Sequence, residues 1–324
     1  MATSSTPGKI ILFGEHAVVY GRPALAVPVT QVQATVTVSS TDSVTGSRNG
    51  MDFREKDWQA RIRIEAPDIC LSTELSRLAP DHPLAAVTRS VFFTLGIDSP
   101  PPLTIHITST IPVASGLGSG AAVSVALIRA LSSTVHRPLS DEQVNTLAYE
   151  IEKLHHGTPS GIDNTVVTYA KPVYFVKDQP IETFRVGAPF TIVIADTGVS
   201  TLTKESVGDV RELWEADKTG WEKVFDEIGK IARLARKMIE NGEWMALGPL
   251  MDENHALLQQ LTVSSPELDR LVEVAHRSGT LGAKLSGGGR GGNMIALVQK
   301  EDAPAVAEAL MSAGAKRTII TQIE

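Results

Sequence analysis

The sequence holds little of several things that would have set its class quickly. One cysteine, Cys70, in 324 residues leaves no intramolecular disulfide and no thiolate-rich zinc site. That fits a reducing compartment, and a buried apolar position is expected for the thiol. Aromatic residues are only 5% of the chain, no basic stripe interleaves with them, and the formal net charge is −7. An electrostatic footprint for a phosphate backbone is therefore missing, and nucleic acid is not an expected partner. No apolar run approaches the roughly 18 residues of a membrane span. The segment Met1–Lys9 also lacks a basic region followed by an apolar stretch, so a cytoplasmic protein with no membrane partner is expected. The adjacent His155 and His156 have no third ligand at zinc spacing.

What remains is an ordinary globular balance, 42% hydrophobic and 21% charged. Single cores stop growing near about 250 residues, so this length predicts two domains, with a boundary near Val186: 1–186 and 187–324. Strands are expected at Ile10–Phe13, through the alternation Val32, Ala34, Val36, Val38, at Ala60, Ile62, Ile64, and at Leu103, Ile105, Ile107. Further strands are expected at Val166–Tyr169, Val173–Val176 and Thr191–Ala195, and a turn at Asn49-Gly50. Ser140 with Gln143 forms a capping box for a helix carrying Glu152. The second half is mainly helical, with Val210, Leu213, Trp221, Val224, Ile228, Ile231, Leu234 and Met238 near a 3.6 period, and Ser265-Pro266-Glu267 opens another helix. Strands with segregated helices predict an α+β protein.

Three segments carry chemistry. The loop Pro112-Val-Ala-Ser115-Gly116-Leu117-Gly118-Ser119-Gly120-Ala121-Ala122 precedes an apolar helical run, so backbone amides and a helix N-terminus can receive an anion. A tight turn capped by Ser119 is the plain alternative. Gly116, Gly118 and Ala121 also fit a dinucleotide fingerprint, yet no second strand ending in an acid follows. The second segment, Pro7-Gly8-Lys9 through Gly14-Glu15-His16 to Gly21, puts a lysine before an apolar strand and an acid–histidine pair after it; it is not a P-loop, because Ile10 stands where a Mg²⁺-binding hydroxyl would be. The third, Lys284-Leu-Ser286-Gly287 to Asn293, is a polyglycine loop running into a strand. No G-x-S-x-G surrounds Ser115, Ser119 or Ser286, which sets a serine hydrolase aside.

In order, spacing and composition these segments resemble the three motifs of the GHMP kinase superfamily, across essentially the whole chain. Gly14 to Gly21, and Glu152 followed by Asp163 in Pro159-Ser-Gly-Ile-Asp163-Asn164, are similar to the members that phosphorylate mevalonate. The resemblance implies an N-terminal domain with a left-handed β-α-β unit, a C-terminal ferredoxin-like α/β sandwich, ATP and Mg²⁺ as cofactors, mevalonate 5-phosphate as product and a homodimer. It implies Asp163 as general base and Lys9 as electrostatic stabiliser. It also implies nucleotide binding by Pro112, Ser115, Gly116, Leu117, Gly118, Ser119, Gly120, Ala121 and Ala122, metal binding by Glu152 and Ser119, and substrate binding by Glu15, His16 and Thr197. Phosphomevalonate, another mevalonate hydroxyl, a sugar, or an ATP sensor without turnover stay open as alternatives. The chain departs from the family pattern at Gly120, where a serine is frequent, at Arg290, where a glycine is frequent, and at Asn293, where a cysteine is frequent. An arginine at a left-handed position would cost roughly 1 kcal/mol, so either Arg290 sits at an ordinary φ with a solvent-facing side chain, the favoured reading, or it adds its guanidinium to the phosphate site.

Overall fold

The computed structural model describes residues 1–40, 55–112, 115–156, 159–180, 182–199 and 203–324; the Asn49-Gly50 turn lies outside them. Contacts gather these residues into two compact units, one of 1–8, 32–111 and 119–169 and the other of 9–31, 112–118 and 170–324. The units interleave along the chain, whereas the expected cut at Val186 divides the sequence once. The interleaving arises because the first two strands, β1 (Ala2–Phe13) and β2 (Ala24–Ser40), each begin in one unit and end in the other.

In the first unit, β3 (Ile62–Ala66), β4 (Leu71–Glu74) and β5 (Leu103–Ser109) join β2 in the order β4-β3-β5-β2. β3 pairs parallel with β5, setting Ile64 against Ile105, and β5 pairs antiparallel with β2, setting Ile107 against Val36. The alternation read along β2 is the pleat itself, since Val32, Ala34, Val36 and Val38 are buried while Gln33 is exposed. β1 is longer than its apolar run. Its first half is built of Thr and Ser, and Thr3 and Ser5 pair with Thr37 and Thr35 on β2 through hydroxyl contacts of 3.0 and 2.8 Å.

Four helices complete this unit: α1 (Pro83–Thr94), α2 (Ser119–Thr134), α3 (Asp141–His156) and α4 (Ile162–Tyr169). The capping box is present, with Ser140 N donating to Gln143 Oε1 at 2.9 Å and Gln143 N to Ser140 Oγ at 3.3 Å. The strand expected at Val166–Tyr169 is instead the end of α4. Val166 and Val167 favour strands, but both are buried on a helix that packs against α2 and α3, and that packing outweighs propensity. Cys70 is exposed, not buried as expected, because it occupies a left-handed position (φ 54°) after a short turn joining β3 to β4.

In the second unit, β6 (Val173–Phe175) pairs with the first residues of β2 and with β7 (Glu182–Thr183). Beyond them come β8 (Phe190–Asp196), α5 (Thr203–Ala216), α6 (Lys218–Asn241), α7 (Leu247–Gln260), α8 (Pro266–Arg277), β9 (Gly282–Ser286), β10 (Asn293–Val298), α9 (Ala303–Ser312) and β11 (Arg317–Ile323). The sheet order β11-β8-β10-β9, antiparallel throughout, is the expected ferredoxin-like arrangement. The apolar series from Val210 to Met238 covers two helices, divided at Asp217, whose side chain caps α6 by accepting from Gly220 N at 3.0 Å. Phe225, Ile228, Ala232, Ala235 and Ile239 form the buried stripe of α6, while Leu234 lies outside it, 45% exposed. Ser265 caps α8 through Leu268 N at 3.3 Å, as read from the sequence. Among the described residues, no helix is long and apolar enough to cross a membrane.

Candidate active site

The second unit holds most of the three glycine-bearing segments: 112–118 of the first, 9–21 of the second and all of the third. Lys9 lies in the second half of β1, 4% exposed, and its backbone N–H donates to Leu117 O at 3.0 Å, which fixes the loop of the first segment beside the second. After β1 the chain turns at Gly14 (φ 98°), where a Cβ would come within 2.4 Å of Ala24 Cα and Pro23 O, so only glycine fits. Glu15 and His16 follow, 1% and 5% exposed. His16 adopts φ 60°, ψ −49°, and Ala17 N donates to Glu15 O at 2.6 Å, which is the strained form of the γ-turn. Tyr20 then stacks on Phe225 with ring centroids 4.1 Å apart, and Arg22 pairs with Glu222 and Asp226, so the end of this motif serves to dock on α6.

The third segment is held from several sides. His16 Nε2 lies 3.1 Å from Gly288 O, so the ring donates from Nε2. Burial lowers its pKa to about 4; the bond to Gly288 opposes that shift, and the Arg290 charge adds to it. The imidazole is neutral at pH 7. Thr197 reaches Gly292 O through its backbone N–H at 2.9 Å and its hydroxyl at 3.0 Å. Ser286 Oγ donates to Ile11 O at 2.7 Å, and Asn293 Nδ2 donates to Ser115 O, so the residue standing where a cysteine is frequent ties the third segment to the first. Ser115 Oγ in turn donates to Pro112 O at 2.9 Å. Gly289 approaches Val263 O so closely that a Cβ would lie 2.0 Å from it.

Arg290 corrects the expectation made for it. Its φ is 52°, the left-handed region, and its side chain does not simply face solvent: Nε donates to Thr262 O at 3.0 Å and Nη1 pairs with Asp209 of α5. Those contacts compensate the steric cost of the backbone.

The first unit carries the remaining candidates. Ser119, Gly120, Ala121 and Ala122 form the first turn of α2, and Ala122 O accepts from Thr6 Oγ1 at 2.7 Å. At Gly120 a Cβ would meet nothing within 4 Å, so the missing serine side chain is not excluded by space. Asp163 lies in the first turn of α4, after Gly161 (φ 88°) and next to buried Asn164. Asn164 Nδ2 donates to Asn145 Oδ1 at 2.7 Å; with its amide reversed it would reach Glu152 Oε2 at 3.3 Å and Gly161 O at 2.9 Å. Glu152 lies on α3 and Asp163 at the start of α4, two helices that pack on each other.

Among the described residues no group of three His, Cys, Asp or Glu could hold a metal ion. Gly287, at φ 91°, has nothing within 4 Å of a Cβ position, and Gly292, at φ 73°, has only Ser115 O at 3.9 Å, so the backbone there has room for an anion against it.

Sequence reasoning named Lys284 only as the start of a motif, yet it is fully buried and paired with Glu15. A lysine inside the apolar strand Gly282-Ala-Lys-Leu-Ser286 was the available signal, because a buried ammonium requires an anion. His255 was missed outright. It is 7% exposed and accepts from Leu285 N through Nδ1 at 3.3 Å, with Nε2 3.3 Å from Asp269. Burial lowers its pKa to about 4, against the attraction of Asp269.

Comparison with known proteins agrees with this geometry. The GHMP kinases N terminal domain matches residues 84–171 and the GHMP kinases C terminal domain residues 234–316, on either side of residue 186. Mevalonate kinase of Pyrococcus abyssi is 35% identical over 94% of this chain and 92% of its own, and that of Thermococcus sibiricus is 36% identical over 99% and 95%. The crystal structure of L. major mevalonate kinase in complex with R-mevalonate superimposes with a TM-score of 0.82 at 27% identity, covering 100% of this chain and 96% of that one. The chain belongs to the GHMP kinases and, within them, to the mevalonate kinase family of enzymes.

Proposed function

We propose that the protein transfers the γ-phosphoryl group of ATP to the primary alcohol of mevalonate, giving mevalonate 5-phosphate. The observation that carries this reading is the joining, within one compact unit, of residues 9–21, 112–118 and 284–293 of the three motif segments, through Lys9 N to Leu117 O, Asn293 to Ser115 O and His16 to Gly288 O. Phosphoryl transfer needs positioning and charge stabilisation more than covalent help. Asp163 accepts the proton of the attacking alcohol. Lys9 acts as the electrostatic stabiliser of charge on the transferring group. The loop Ser115–Gly118 and the first turn of α2, including Ser119 to Ala122, receive the phosphates on backbone amides. Mg²⁺, when bound, neutralises charge on the phosphate oxygens, with Glu152 and the Ser119 hydroxyl as its protein ligands.

Glu15, His16 and Thr197 shape the acceptor side. His16 and Thr197 do so by holding the carbonyls of Gly288 and Gly292, while Glu15, whose Oε2 is buried without a hydrogen-bond partner among the described residues, does so from the turn that presents His16. On this reading 1–186 supplies the catalytic residues and 187–324 the third glycine segment and substrate side, and the enzyme works in the cytoplasm as a homodimer, which light scattering would test. The activity itself is tested by ADP release with ATP, Mg²⁺ and mevalonate, with phosphorus NMR locating the new ester.

A further inference from the structure

The Lys284–Glu15 pair is unusual in costing so much and contacting so little outside itself. Both side chains are 0% exposed. The Lys284 ammonium donates to Glu15 Oε1 and, at 2.6 Å, to Leu285 O, and it lies 5.9 Å from the centre of the Phe13 ring. Burial lowers the Lys284 pKa and the Glu15 charge opposes that shift. An apolar pair of similar volume would fill this space without desolvating two charges, so stability alone is a poor reason for it.

Geometry offers a better one. Glu15 is the first residue of the γ-turn centred on His16, a backbone state that persists only where its surroundings over-determine it. Gly14 allows the chain to enter that turn, the Glu15 side chain is gripped by Lys284, and the His16 ring is gripped by Gly288 O. Lys284 is itself held in place, because both backbone groups of the next residue are engaged: Leu285 O accepts from the Lys284 ammonium and Leu285 N donates to His255 Nδ1. One residue further, Ser286 holds Ile11 O on β1.

We infer that Lys284 is a positioning residue: by fixing the Glu15 carboxylate it holds the strained turn that delivers the His16 ring to the Gly288 carbonyl, so that turn and third glycine segment are set as one piece. The inference rests on the proposed kinase reading of that site, and it adds a role that neither Glu15 nor His16 can perform alone. Replacing Lys284 should loosen His16 before it unfolds the domain.

The test uses the full-length protein labelled with ¹⁵N-histidine, as wild type, Lys284→Met, and the double variant Lys284→Met with Glu15→Gln, which buries no lone charge and serves if the single variant fails to fold. Long-range ¹H–¹⁵N correlations, with His16→Gln for assignment, report the tautomer and titration of the His16 ring, and steady-state kinetics give kcat/KM for mevalonate. The wild-type ring should be the Nε2–H tautomer and stay neutral until pH approaches about 4. In the variants it should show mixed tautomers and titrate more than about one unit higher, toward the free value, and kcat/KM should fall about 10²-fold, as for misplacement of a site by about 1 Å. An unchanged His16 signature, or an altered one with kcat/KM within about threefold of wild type, would overturn the inference. Absence of mevalonate turnover in the wild type would overturn the kinase reading instead, and the NMR comparison would still decide the role of Lys284.

Discussion

At Asp163 and Lys9 the proposed chemistry depends on single groups. Asp163→Asn keeps the size and hydrogen-bonding reach of the side chain but cannot take a proton, so kcat should fall about 10²- to 10⁴-fold with the circular dichroism spectrum unchanged. Lys9→Met removes a charge and keeps the stem, and a loss of about 10²- to 10³-fold is expected, matching the removal of one electrostatic stabiliser. Arg290 makes a separate prediction about stability. Arg290→Ala loses the bonds to Thr262 and Asp209 while keeping the left-handed strain, whereas Arg290→Gly loses the same bonds and relieves it. Urea unfolding should therefore show the alanine variant less stable than the glycine variant by about 1 kcal/mol. Equal stabilities would mean that the backbone relaxes out of φ 52° once the guanidinium is gone.

At the scale of elements, α2 offers the cleanest case. Gly120 lies in its first turn with no neighbour within 4 Å of a Cβ position, so Gly120→Ser should stabilise the helix by about 0.5 kcal/mol, since serine has less backbone freedom to lose. If the added hydroxyl also serves the metal, the Mg²⁺ concentration giving half-maximal activity should fall in the same variant. Elements whose signals are local could be read from sequence: the alternation of β2, the Ser140–Gln143 box of α3 and the Ser265 cap of α8 each report short-range physics. α4 was misread as a strand because Val166 and Val167 favour one, and the deciding information, the faces of α2 and α3, lies far away in sequence. The first half of β1 was missed for a related reason, its Thr and Ser being set by partners on β2.

For the whole molecule, two buried histidines make stability depend on pH. His16 and His255 titrate near 4 in the folded protein against 6.5 when unfolded. Above pH 6.5 neither state binds the proton, and between 6.5 and 4 the unfolded chain takes up protons that the folded chain refuses. Stability is therefore lost as pH falls through that window, by up to about 3 kcal/mol per ring. Urea titrations at pH 7 and 4.5 should show the loss, and in His255→Gln the loss should shrink by about 2 kcal/mol. The three motif segments were legible as phosphate chemistry because each has a local composition that few other functions need. The buried wiring of that site, Lys284 to Glu15 and Asn293 to Ser115, was not, since pairs 269 and 178 residues apart have no local trace.

The measurement that bears most directly on the central claim is ADP release by the purified protein with ATP and Mg²⁺, run in parallel on mevalonate, phosphomevalonate, homoserine and galactose. Turnover with mevalonate, a phosphorus NMR signal for the 5-phosphate, and loss of both in Asp163→Asn are the predicted results. Turnover on another acceptor with none on mevalonate would contradict the substrate assignment while leaving the fold in place, and ATP binding with no turnover on any acceptor would contradict the claim of catalysis itself.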